Sequence, residues 1–195
     1  MNFVVLSSSR GTTFQAVLDR MADGSLTARC LGLIADREDR GCVERARNAN
    51  IPVVIVERRK GMKREEYDFQ LDQTIRAMGD VEIIAALGWM FILTPWFVHQ
   101  WSGRIVNVHP ALLPKYPGAH GIEEALKDGA TESGMTIHII DEGVDTGPIL
   151  LQKTCPVHKD DDAESLKERI QALEKEWYPT VLQMLENGTL TLPAS

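Results

Sequence analysis

An α/β fold, a doubly wound and mostly parallel sheet extended by antiparallel strands, is predicted by three observations. Short apolar β-rich runs alternate with amphipathic helical segments through the first half of the chain. Two longer β runs, joined only by a short loop, follow in the second half. No linker is long enough to divide the 195 residues, so a single domain spanning 1–195 is expected.

The elements follow in order. Phe3 to Leu6 reads as a strand, and Thr13 to Met21 as a helix, because Phe14, Val17, Leu18 and Met21 fall on one face. Cys30 to Ile34 is the next strand, Val43 to Asn48 a helix, and Pro52 to Val56 a strand. Tyr67, Leu71, Ile75 and Met78 mark the apolar face of another helix, and Glu82 to Leu87 a buried strand. After the strand Arg104 to Val108, the proline- and glycine-rich run from Pro110 to Gly118 is expected to form an ordered loop without regular structure. Met135 to Ile140 and Pro148 to Val157 then pair as an antiparallel extension. Asp160 to Asp162 caps a last helix whose core stripe is Leu166, Ile170, Leu173 and Trp177. Pro179 is expected to break or kink it, with Val181, Leu182 and Leu185 continuing the apolar pattern up to Asn187-Gly188.

Composition narrows the setting. A net charge of −7 disfavours broad contact with nucleic acid phosphates. Three widely spaced cysteines, Cys30, Cys42 and Cys155, without a Cys-x-x-Cys, point to a reducing compartment and away from a zinc ribbon. The chain starts directly in an apolar strand with no basic leader, and no run reaches the ~18 apolar residues of a spanning helix. A cytoplasmic protein without membrane contact is expected.

Chemistry concentrates at two places. In Arg104-Ile-Val-Asn-Val-His-Pro110, Asn107 and His109 emerge on the same side of a strand, where alternate residues share a face. Ligands of doubly wound sheets bind beyond such carboxyl ends. Asp145, in the glycine-flanked loop Asp141-Glu-Gly-Val-Asp-Thr-Gly-Pro148, is the third member that would make the pair catalytic; otherwise the pair is simply the polar end of a strand. The second place is Ser7-Ser-Ser-Arg-Gly-Thr-Thr13, a glycine-bearing loop opening a helix, suited to cradle a phosphate on backbone N–H groups. It lacks the Walker pattern and G-x-G-x-x-G, so a single phosphate ester fits better than a nucleoside triphosphate or dinucleotide. Thr12 or Thr13 as an ordinary N-cap is the competing reading. Asp145-Thr-Gly147 superficially matches an aspartic protease loop, but such proteases are almost wholly β and need paired aspartates.

These motifs together resemble the folate-dependent formyltransferases. The matches are Asn-x-His-Pro at 107–110, Leu-Leu-Pro-Lys-Tyr-Pro-Gly at 112–118, Asp-Glu-Gly-Val-Asp-Thr-Gly-Pro at 141–148, and the N-terminal phosphate loop. They span nearly the whole chain. The resemblance implies the formyltransferase fold, with a Rossmann-like phosphate-binding half at 1–100 and a catalytic, folate-binding half at 101–195. It implies 10-formyltetrahydrofolate as co-substrate, glycinamide ribonucleotide as acceptor in purine biosynthesis, and no metal. Asn107, His109 and Asp145 become the catalytic trio: Asn107 and protonated His109 donate to the oxyanion formed when the amine attacks the formyl carbon, and Asp145 favours the imidazolium and helps move the amine proton. Gly11, Thr12 and Thr13 hold the ribonucleotide phosphate, with help from Gln171, and Glu174 contacts the ribose. The folate lies against Met90, Phe91, Ile92 and Leu93, with Asn107, Val144, Thr146 and Gly147 opposite. Arg64, within the basic cluster Arg58-Arg-Lys60 and Lys63-Arg64, meets the glutamate carboxylate.

Three departures stand out against the family pattern. Thr12-Thr13 replaces the usual Ser-Asn, with Ser9 and Arg10 in place of Asn or Gly neighbours; Phe91 stands where arginine is usual; and Gly121-Ile122 replaces more polar residues. Of the remaining histidines, His99 and His158 read as surface residues, and His120 and His138 as structural ones that can also support the site; none has metal-ligand spacing. A sugar-nucleotide formyltransferase is the nearest rival activity. A methionyl-tRNA formyltransferase would need a further C-terminal domain, and a formyltetrahydrofolate hydrolase an N-terminal one. A non-catalytic folate or nucleotide sensor is the alternative from another class. The partners expected are small molecules, with a monomeric or homodimeric chain.

Overall fold

A computed structural model of the protein describes residues 1–193; the last two residues of the expected domain lie outside them. Strands β1 (Asn2–Ser7), β2 (Arg29–Ala35), β3 (Val53–Ile55), β4 (Ile83–Ala86) and β5 (Ile105–His109) are parallel, and β6 (Glu132–Ile139) and β7 (Ile149–Pro156) add on antiparallel. The order β3-β2-β1-β4-β5-β6-β7 makes one seven-stranded mixed sheet, as the alternation of elements predicts.

Strand alternation divides the core into two layers. Phe3 and Val5 of β1 pack with α1 (Thr12–Ala22), α2 (Gly41–Asn48) and α6 (Ala163–Glu186) on one face. Val4 and Leu6 pack with α3 (Arg64–Ala77) and α4 (Pro95–Gln100) on the other. All four β1 side chains are fully buried, each contributing about 1.5–3 kcal/mol of hydrophobic stabilisation.

Two short helices were not expected from the pattern. In α4, Thr94 is the N-cap and accepts from the Phe97 N–H, with Pro95 in the first turn. The other is α5 (Gly121–Lys127), which follows the loop from Pro110 to Gly118. The last helix starts as predicted, on a capping box between Asp162 and Ser165.

Two expectations for α6 are corrected. The helix runs unbroken through Pro179. The missing N–H costs about 3 kcal/mol, but the turns on both sides are anchored: Tyr178 is fully buried and donates to the Val106 carbonyl at 2.8 Å, and Val181 and Leu182 are fully buried. The buried stripe also sits slightly further round, through Leu166, Ile170, Glu174 and Tyr178. Leu173 and Trp177 are only partly buried, and Trp177 instead carries the Lys153 ammonium 3.6 Å above its ring.

Candidate active site

The site forms where three loops leave neighbouring strands. The β1 and β4 loops touch directly: the Ser8 N–H donates to the Gly88 carbonyl, and Ser9 Oγ donates to the Leu87 carbonyl. Gly88 has φ 71°, and any Cβ there would come within 2.8 Å of the Ser9 side chain. The segments expected to hold a phosphate and a pterin are thus neighbours. Both open into a cavity of about 730 Å³ beyond the carboxyl ends of the strands.

His109, at the end of β5, is buried, and both of its ring nitrogens face acceptors. Nε2 lies 2.7 Å from the Tyr116 carbonyl, and Nδ1 lies 3.3 Å from Asp145 Oδ2. Only a doubly protonated imidazole can donate to both, so the geometry suits the imidazolium. The loop from Pro110 to Gly118 is shaped for this contact. Tyr116 adopts φ 55°, and Gly121 packs so closely that a Cβ would lie 2.9 Å from the Tyr116 oxygen and 3.4 Å from His109 Nε2. Behind the loop, Thr136 Oγ1 donates to the Ala111 carbonyl at 2.7 Å and accepts from the Leu113 N–H at 3.1 Å.

Asp145 also holds a left-handed conformation, φ 54°, tolerated by aspartate better than by most side chains. Gly147 closes the same loop, since a Cβ there would meet the Ile139 carbonyl at 1.9 Å. The carboxylate accepts from the Gly118 N–H at 2.7 Å. Burial pushes its pKa up, but bonding from His138, the Gly118 N–H and the His109 charge outweigh that and hold it below the usual aspartate value.

A fourth member joins these three. His138 pairs across the sheet with Asn107. Its Nε2 lies 3.1 Å from Asn107 Nδ2 and 3.5 Å from Asp145 Oδ1, while its Nδ1 donates to the Ile139 carbonyl at 2.9 Å. The sequence signal for this was weak: a histidine in an apolar strand reads as structural unless the cross-strand register is known. Two main-chain groups of the 110–118 loop, the Tyr116 carbonyl and the Gly118 N–H, were likewise invisible beforehand.

At the other end of the cavity, α1 begins at Gly11, φ 75°, with no side-chain cap; neither Thr12 nor Thr13 caps the helix. Thr13 Oγ1 instead donates to Glu174 Oε2 at 3.0 Å. Glu174 is buried, and desolvation pushes its carboxyl up to about 7 against the Thr13 bond and the charges of Lys175 and Lys167. Gly11, Thr12, Thr13, Gln171 and Glu174 all border the cavity. A Cβ on Gly11 would approach the Cys42 Cα to 2.8 Å, in addition to the strained φ. Gly11→Ala should therefore lose about 2 kcal/mol or more of stability in a denaturant titration; an unchanged midpoint would contradict this account of the loop.

On the facing wall, Met90, Phe91, Ile92 and Leu93 border the cavity together with Trp89 and, across from them, Val144. Three predicted residues are not in its wall. Arg64 is exposed at the start of α3. Thr146 donates to Asp141 Oδ1 at 2.7 Å, and Gly147 is buried in the turn, so both shape the Asp145 loop. His99 is exposed and its Nε2 contacts Glu142 Oε1, and His158 is exposed. No group of three or more metal-ligating side chains is found among the described residues. A second concavity, about 720 Å³ along β3 and α3, contains none of the predicted site residues.

A buried imidazole beside a carboxylate, and a helix start without a side-chain cap, border one cavity and make it a candidate active site of an enzyme. Residues 1–182 match the formyl transferase family, and the chain belongs to it. It is 32% identical over 183 residues to phosphoribosylglycinamide formyltransferase of Bacillus subtilis, covering 94% of this chain and 93% of that one. It is 41% identical over 187 residues to the trifunctional purine biosynthetic protein adenosine-3 of Drosophila melanogaster, spanning 95% of this chain but only 14% of that much longer protein. The crystal structure of glycinamide ribonucleotide transformylase 1 from Symbiobacterium toebii superposes with a TM-score of 0.94 at 34% identity, covering 100% of this chain and 91% of that one. No helix among the described residues is long and apolar enough to cross a membrane.

Proposed function

We propose that the protein transfers the formyl group of 10-formyltetrahydrofolate to the primary amine of glycinamide ribonucleotide, a step of purine biosynthesis. The observation that carries this reading is the single cavity holding the Asn107, His109, Asp145 cluster between the Gly11 helix start and the Trp89 to Leu93 wall. The names of the relatives at over 30% identity and near-complete coverage point to the same substrate.

The ribonucleotide phosphate rests on the helix start at Gly11, Thr12 and Thr13, where the Gly11 N–H is shared with Ser9 Oγ at 3.1 Å, with Gln171 beside it, and Glu174 takes the ribose. The folate lies along Met90 to Leu93, faced by Asn107 and Val144, with Thr146 and Gly147 shaping that wall and Arg64 meeting its glutamate. In this reading the substrate amine and the formyl carbon meet near His109. The amine attacks the formyl carbon, the carbonyl oxygen becomes an oxyanion, and Asn107 and His109 donate to it. Both donors are engaged with protein acceptors in the free enzyme. His109 Nδ1, whose contact with Asp145 is the longer of its two at 3.3 Å, is the donor most readily shared with an incoming oxygen. Asp145, held ionised beside the imidazole, takes the amine proton, directly or through water; collapse of the intermediate expels the tetrahydrofolate nitrogen, which receives that proton. The chain acts as one catalytic domain in the cytoplasm, a placement its three free buried cysteines favour, as a monomer or homodimer on small-molecule ligands.

The deciding experiment mixes the protein with 10-formyltetrahydrofolate and glycinamide ribonucleotide and follows folate absorbance, with a sugar-nucleotide amine as the competing acceptor. Turnover with glycinamide ribonucleotide is expected. Transfer only to the sugar nucleotide would replace the acceptor, and ligand binding without transfer would make the protein a sensor.

A further inference from the structure

The wall from Trp89 to Leu93 belongs to an aromatic cluster. The Trp89 ring lies parallel to Tyr67 with centroids 6.3 Å apart and meets Phe91 edge-on at 5.3 Å; Phe91 is 5.5 Å from Tyr67. Tyr67 is fixed in turn by donating to the Val56 carbonyl at 2.8 Å. Phe91 occupies the position where the resemblance leads one to expect arginine, so the cavity wall loses a cation there. A cation returns from another segment: the Arg58 guanidinium carbon lies 5.8 Å from the centre of the Phe91 ring.

Arg58 is exposed and has no carboxylate within 4.0 Å among the described residues, and the same holds for Arg64. A turn in which the Met62 N–H donates to the Arg59 carbonyl, with Gly61 at φ 85°, reverses the chain between β3 and α3. It brings the two arginines to one neighbourhood, and both charges are felt by Asp68. That carboxylate is itself committed, accepting from the Thr94 N–H at 2.6 Å. A guanidinium attracted to the face of an aromatic ring loses mobility yet keeps in-plane N–H groups for a planar carboxylate.

We propose that Arg58, stacked on Phe91, is a specificity-determining residue for the co-substrate, forming with Arg64 a paired clamp for the carboxylates of a folate's glutamate tail. The proposal rests on the folate reading of the cavity and adds position 58 to it. The clamp acts on the tail alone, leaving the pterin and the reacting carbon untouched.

The test is a calorimetric titration, without acceptor, of tetrahydrofolate, its triglutamate and tetrahydropteroate, which lacks glutamate, into the wild type and Arg58→Ala, Arg58→Lys and Phe91→Leu. Arg58→Ala should bind tetrahydrofolate about tenfold more weakly, the factor that 1.4 kcal/mol represents, and lose more for the triglutamate. Its affinity for tetrahydropteroate should hardly change. Arg58→Lys should recover only part of the loss, because charge returns without the planar fork, and Phe91→Leu should show a smaller loss of the same selectivity. Equal losses for all three ligands, or none, would overturn the clamp. Because acceptor is absent, the wrong choice of acceptor leaves the titration intact, whereas a wild type that binds no folate defeats both readings.

Discussion

Asp145→Ala and His109→Ala are expected to lower turnover by at least about a hundred- to a thousand-fold, roughly 3 to 4 kcal/mol of barrier. The two side chains act on one proton inventory. Asp145 takes the Gly118 N–H at 2.7 Å and stands 3.3 Å from His109 and 3.5 Å from His138, so its loss leaves two imidazoles without their common anion. Truncation also orphans the Gly118 donor. Asp145→Asn is therefore the cleaner companion: it keeps the shape and one acceptor oxygen for the Gly118 N–H, removes the charge and turns the other oxygen into an amide donor, and should lose turnover to a similar extent with an unchanged circular dichroism spectrum. Near-normal rates in any of these variants would remove the residue from the mechanism. The sign of the acid response follows from the depressed Asp145 pKa. Its stabilising contribution is complete above the unfolded value of about 3.9 and disappears as pH falls through the lower folded value.

The second large effect runs the other way. Glu174→Gln should stabilise the protein at pH 8 by roughly 3 kcal/mol relative to the wild type, with little difference near pH 4. Burial raises the folded carboxyl to about 7 from the model-peptide value of 4.5. The protonated form is thus the one the fold prefers, and the wild type loses stability as pH rises between the two values. Glutamine has the same shape, still accepts from Thr13 Oγ1 and cannot ionise. Thermal unfolding of both proteins across this range decides the matter: parallel curves would mean that Glu174 is not the destabilised group. The same variant should bind ribonucleotide less well, a trade of stability for function common at ligand sites.

The parallel half of the sheet was legible because its strands are mostly apolar and its helices keep a clear period, as in Tyr67, Leu71 and Ile75. Asn107 and His109 were legible because strand periodicity is local. What pairs across strands was not: His138 reaches Asn107 only through the β5 and β6 register, and no local pattern specifies that. The helices at Pro95–Gln100 and Gly121–Lys127 are too short to show a period, although Thr94-Pro95 is a readable start signal. In α6, the apolar period alone runs the stripe through Leu173 and Trp177, because glutamate rarely faces a core. Here it does, with Thr13 as its partner, and the stripe runs through it. Pro179 was judged by its local cost, while the packing of Tyr178 and Leu182 that outweighs it is tertiary.

The bond between Thr13 and Glu174 joins residues 161 positions apart. During synthesis, Thr13 and its helix leave the ribosome long before the Glu174 carboxylate exists. A partial chain can form β1 and α1 but has no acceptor for the Thr13 hydroxyl and an uncovered apolar face on α1, which packs against α6. This end of the cavity is therefore complete only once the last helix has docked on α1.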